Sequence, residues 1–223
     1  AIAMGLSGVT LLFLRQELAG TACFILGGIT HPTLGVEIAS VAFFAIGVAA
    51  IARDRSLNAI RPFVIPGVLF LVAMVIAWGL PNLGATSFRM PDGSFFDILA
   101  HRRAPHHYLG LDFPHMAWFH AALFLAGTAA VYGLAIRRLG ASRERVALGL
   151  MALMVVAIFL ASLWFVDIAH NRVWVTAQVF RMLLLVKWVG FLLLGWLIGQ
   201  WLMAPTPAHL VLAATLVSVN ADA

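Results

Sequence analysis

Apolar residues in this chain come in long unbroken runs, not at the one-face spacing of a surface helix. A bilayer-crossing helix needs about 20 mostly apolar residues, and residues 33–52, 62–80, 116–136, 147–166 and 182–203 meet that length. Residues 1–14, 18–30 and 210–219 are apolar but shorter, which fits truncated spans, half-helices or re-entrant pieces held against a bundle. The pattern predicts an all-α polytopic transmembrane bundle of about five full spans, forming one transmembrane domain over residues 1–223. A long polar loop at residues 81–115 interrupts it. The chain opens on "AIAMGLSGVTLLFL", with no initiator or basic leader, and stops after a short apolar run, so it reads as a piece of a larger protein.

Composition agrees: 63% of residues are hydrophobic and 10% charged, and mean hydropathy is +1.00. In a soluble chain the net charge of +5 would suggest a nucleic-acid partner. Here the arginines sit in short loops, "RDRSLNAIR" (Arg53, Arg55, Arg61) and "RRLGASRER" (Arg137, Arg138, Arg143, Arg145), as membrane topology requires, so no nucleic-acid partner is expected. The positive-inside bias makes that side cytoplasmic. The single cysteine, Cys23, excludes an intramolecular disulfide and any multi-cysteine zinc or iron–sulfur site.

Alternation of the spans gathers the reactive side chains on the opposite, extracytoplasmic face. His31, His101, His106, His107, His115 and His170 fall there with Asp92, Asp97, Asp112, Asp167, Arg89, Arg102, Arg103, Arg172 and Arg181, and His120 lies about one turn deeper. In the long loop "PDG" reads as a turn, and "SFFDILAHRR" as a short interfacial helix with Ser94 as N-cap and Asp97 and His101 facing the same way. Pro105 ends it, so His106, His107 and Tyr108 would be presented by extended backbone. The bland alternative is a solvated loop resting on headgroups. Glu37 lies one turn inside a span, where a carboxylate is costly unless paired or facing a polar cavity, and His31 is its candidate neighbour. Arg181 and Lys187 either snorkel or bind an anion. His120 reads as a satisfied bundle histidine, and the tryptophans as interfacial anchors. The five-residue steps His101–His106 and His115–His120 suit two metal ligands on one helix poorly. The sequence establishes no cofactor; a divalent metal is an open alternative, resting on a zinc site from His106, His107 and His170.

Three stretches, "GGITHPTLGV", "HRRAPHHYLGLDFPH" and "TAQVFRMLLLVKW", resemble those of a family of bacterial multi-pass membrane proteins similar to GT-C-type glycosyltransferases. The resemblance implies transfer of a sugar from a polyprenyl-phosphate donor on the extracytoplasmic face of the bacterial inner membrane. Under it, Arg102, Arg103, Arg172 and Arg181 meet the phosphate, and His106, His107 and Tyr108, with His31 and His170, hold the leaving phosphate or the sugar. A carboxylate, Glu37 or Asp97, serves as base. The chain departs from the family in lacking the acidic residue usual in the first extracytoplasmic loop. A reading of a different class is a transporter or flippase-like protein for an anionic lipid or small anion, with Glu37 and His31 as proton relay. Polar residues gathered at one mouth, and no internal repeat, favour the transferase.

Overall fold

The computed structural model describes residues 1–83, 91–103, 111, 113–138 and 142–221, with backbone only for residues 92, 103, 180 and 219–221. Among these residues the ordered elements are helices, with no strand. Five are long and apolar enough to cross a membrane: Pro32–Asp54, Leu57–Asn82, His115–Arg138, Arg143–Ile168 and Leu183–Met203. They match the five runs expected from the sequence, and the chain is an all-α multi-pass membrane protein.

The helices are α1 (Ile2–Phe13), α2 (Glu17–Thr30), α3 (Pro32–Asp54), α4 (Arg61–Met74), α5 (Asp92–Phe96), α6 (His115–Arg138), α7 (Arg143–Ser162), α8 (Arg172–Ala177), α9 (Leu183–Met203) and α10 (Pro207–Ala221). The hub is α3: 61% of its apolar 18-residue stretch is buried inside the protein, against 22% for the corresponding stretches of the spans built on α4 and α7. It packs on α1, α2 and α7. On α4 the exposed residues Val64, Ile65, Val68, Leu69, Leu71 and Val72 form a hydrocarbon-facing side, which only a lipid environment satisfies. A second apolar cluster joins α6, α9 and α10 through Val131, Ala135, Leu194, Leu197, Trp201 and Leu216.

The two short N-terminal segments form a helical hairpin against α3. Its turn carries Arg15 in the left-handed region (φ 59°). Small residues allow the close approach that drives helix association in lipid. A Cβ on Gly35 would lie 2.5 Å from the backbone nitrogen of Gly28, and one on Gly20 would lie 2.9 Å from the Gly8 carbonyl oxygen. This contact leaves no room for a side chain at Gly35, so the end of α2 and the start of α3 touch backbone to backbone, which fixes the position of His31 between them.

The two ends of the bundle differ. At one end Arg15, Arg53 and Arg143 approach each other around a cavity, and Arg143 Nη2 donates to the Leu12 carbonyl at 3.4 Å. At the other, Trp78 Nε1 donates at 3.0 Å to Gly28 O, one of the carbonyls orphaned at the end of α2. Three π-helical turns, Val75–Gly79, Asp97–Arg103 and Leu163–Ile168, all occur at this second, histidine-bearing end. Such turns are rare and occur often at functional sites.

The sequence expectation for the long loop needs one correction. The short helix starts after Pro91 with no side-chain cap, so Ser94 lies inside its first turn and does not cap it. The helix begins at Asp92, directly after the φ-restricted Pro91, three residues earlier than a Ser94 cap would give.

Candidate functional site at the histidine end

Two polar groups and an apolar cavity make up this end. The first group sits where α2 meets α3. His31 is the N-cap of α3: its Nδ1 accepts from the Leu34 amide at 3.3 Å and lies 3.3 Å from Thr33 Oγ1. A backbone N–H can only donate, so with Nδ1 as the acceptor a neutral ring carries its proton on Nε2. Nε2 lies 3.5 Å from Arg181 Nη1, which is also a donor. In that tautomer the two donors have no mutual hydrogen bond; with the ring proton on Nδ1, facing Thr33 Oγ1, Nε2 accepts from Arg181.

Glu37 stands behind them, less than two turns further along α3. Both its carboxylate oxygens are buried and have no hydrogen-bond partner, and the charge acting on it is that of Arg181. Arg181 reaches this place because Gln178 adopts the left-handed conformation (φ 56°) and ends α8. A short 3₁₀ turn, Val179–Met182, then carries the chain into α9. The sequence named His31 as the candidate neighbour of Glu37; the structure adds Arg181, which lies 3.5 Å from His31 Nε2 and whose charge acts on Glu37.

The second group is a platform on the loop. Asp97 Oδ2 accepts from Arg102 Nε at 2.9 Å, and His101 Nδ1 lies 3.7 Å from Asp97 Oδ1. Arg102 is five residues on, and the π turn brings that position back over Asp97. His170 stacks on Phe96 with ring centroids 4.0 Å apart, and the Arg172 guanidinium lies 4.2 Å from the Phe95 ring centre. The Phe95–Phe96 pair was not read as functional from the sequence; its signal was two adjacent aromatics next to an acid in a polar loop. His106, His107, Tyr108 and the Arg103 side chain lie outside the described residues, as does most of the proposed zinc site. Among the described residues no three metal-ligating side chains converge.

A cavity of about 150 Å³ at this end is walled by Trp118, Phe159, Trp174 and Leu183, with Ser162, Asp167 and Gln178 as polar members. That is roughly ten times the space one water needs (~10–15 Å³). Asp167 Oδ1 accepts from the Leu111 amide at 2.9 Å, which ties the long loop to the mouth of the cavity.

Two expectations resolve differently from the reading of the sequence. His120 is not a satisfied bundle histidine; it is exposed on the outer side of α6 against Phe119 (centroids 6.0 Å), because the packed face of α6 is the one carrying Gly127, Val131 and Ala135. Lys187 neither snorkels freely nor meets an acid among the described residues: its Nζ sits over the rings of Phe124 and Phe191, at 5.4 and 5.8 Å.

No protein-family model, curated protein or solved structure matches this chain.

Proposed function

We propose that this chain binds a phosphate-bearing lipid at its histidine end and, in keeping with the GT-C resemblance, transfers a sugar from a polyprenyl-phosphate donor there. The observation that carries the reading is the approach of Arg181 Nη1 to His31 Nε2 at 3.5 Å, with Arg181 carried by the Gln178–Leu183 segment whose Gln178, Val179 and Leu183 line the apolar cavity. A phosphate oxygen is the acceptor such a pair suits, and the guanidinium fork adds bidentate geometry. The cavity supplies an apolar bed for the attached chain.

In the transfer itself an acceptor hydroxyl oxygen bonds to the anomeric carbon and the carbon–oxygen bond to the phosphate breaks. The phosphate leaves with the bonding pair and a base takes the hydroxyl proton. Of the two candidate carboxylates, Asp97 already holds Arg102 and His101, whereas the Glu37 oxygens have no hydrogen-bonded partner. Glu37 is therefore the base in this reading.

The transporter alternative draws on the same Glu37–His31 pair, but it needs a polar route through the bundle. Beyond Glu37 the buried residues of α3 are Ile38, Ala39, Val41, Ala42, Ala45, Ile46, Gly47, Ala49 and Ala50, with no group to relay a proton. A site that ends in apolar packing favours binding over passage.

The test is titration of polyprenyl phosphate onto the purified chain in nanodiscs. Arg181→Gln and His31→Ala should each weaken binding by about ten- to a hundredfold, the worth of a hydrogen bond to a charged group. Affinity unchanged in both variants would refute the site.

A further inference from the structure

At the opposite end of the bundle, a cavity of about 430 Å³ is walled by Arg15, Glu17, Arg53, Asp54, Asn58 and Arg143 among others. That falls in the ~300–1,000 Å³ range of small-molecule sites. Several elements meet there: the α1–α2 turn, the end of α3, the 3₁₀ turn Leu57–Ile60 with the start of α4, and the start of α7. Positive-inside topology accounts for arginines at this end of the protein. It does not account for Arg143, which is only 5% exposed.

A guanidinium buried that deeply is costly unless its donors are matched. Among the described residues Arg143 makes one hydrogen bond, to Leu12 O at a long 3.4 Å. Its Nε lies 3.4 Å from Glu144 Oε1 yet makes no hydrogen bond. The other charges lining the cavity, Arg15, Glu17, Arg53 and Asp54, form no ion pair with one another or with Arg143. Glu17 and Asp54 reach solvent, so water satisfies them. Arg143 lacks that option: it has the neighbouring Glu144 as an ion-pair partner, yet its Nε remains buried without a hydrogen bond, while Arg15 and Arg53 also line the cavity.

We infer that this cavity is an anion site, independent of the one at the histidine end, which takes a phosphate group through Arg143, Arg53 and Arg15. The phosphate of a lipid headgroup and a free phosphate in solution share this chemistry. Either would bridge the hairpin to α3 and α7 and stabilise the folded chain.

The test uses the full chain carrying Arg181→Gln, so that the proposed histidine-end site contributes nothing and the two readings fail separately. Thermal unfolding is followed in phosphatidylcholine nanodiscs with added inorganic phosphate, and in nanodiscs containing phosphatidylglycerol without it. A saturable rise in Tm in the first arm identifies free phosphate as the ligand, and a rise only in the second identifies the lipid headgroup. In either case Arg53→Gln, a change at an exposed position, should weaken the effect about tenfold, as loss of one charged hydrogen bond predicts. Arg61→Gln, exposed but outside the cavity, should leave it unchanged. Arg143→Lys, which keeps the charge but loses the fork, should weaken it as well. No stabilisation in either arm, or equal weakening by Arg61→Gln and Arg53→Gln, would overturn the site.

Discussion

Glu37 and Asp97 carry the same functional group at the same end of the molecule, and what already holds each one separates them. Asp97 is exposed and engaged by Arg102; Glu37 is enclosed beside Arg181 with both oxygens unbonded. Glu37→Gln keeps the shape and removes the base. Sugar transfer from a polyprenyl-phosphate donor should then fall by at least about a hundredfold, the usual worth of a general base, while donor binding stays within about twofold. Asp97→Asn should leave transfer largely intact. A Glu37→Gln variant that transfers at the native rate would remove Glu37 from the chemistry. At this scale the sequence was half informative. A carboxylate inside an apolar run is visible to any reader of the sequence. Its companion Arg181, however, is brought to it by one left-handed residue, Gln178, and nothing in the run "TAQVFR" announces that bend.

Among elements, the contact between α2 and α3 decides whether the first polar group exists. Gly35→Ala would push a methyl to within 2.5 Å of the Gly28 backbone nitrogen, where no flexible side chain can yield. Overpacking of this kind costs about 1–3 kcal/mol, so Tm in detergent should drop. Gly133→Ala on α6, with nothing within 4 Å of the new methyl, should leave Tm nearly unchanged. Equal Tm values for the two variants would show that the close approach does not limit stability. The spans themselves were legible because a hydrocarbon slab imposes a minimum length of apolar sequence, and a run such as 182–203 meets it without help from the rest of the fold. The short runs 1–14 and 18–30 were ambiguous for the same reason: length alone does not say whether a partner will receive them. Their glycines face several partners, Gly5 against Ile38 of α3, Gly8 and Gly20 across the hairpin and Gly28 against Met74 of α4, and answer that only once those partners are known.

For the whole molecule, the contrast between an arginine-bearing end and a histidine-bearing end follows from loop composition and was readable in advance. The cavities at the two ends were not, since each is walled by residues from three or more separate elements. The orientation makes a direct prediction. In a Cys23→Ser background, a membrane-impermeant maleimide applied to intact cells should label Leu111→Cys and spare Arg55→Cys, both of which are exposed positions. The reverse pattern would invert the molecule in the membrane and put the proposed site on the wrong side for a donor presented outside.

The three π turns give the histidine end a property that composition does not describe. A residue removed from an α-helical stretch turns everything beyond it by about 100°. Within Leu163–Ile168, loss of one residue would rotate Asp167 away from the Leu111 amide and carry the start of α8 to another face of the bundle. In Val75–Gly79 the same loss would swing Trp78 off the Gly28 carbonyl. This end therefore stores its shape as phase, in the count of residues between fixed points. Substitutions there should be tolerated far better than single-residue deletions.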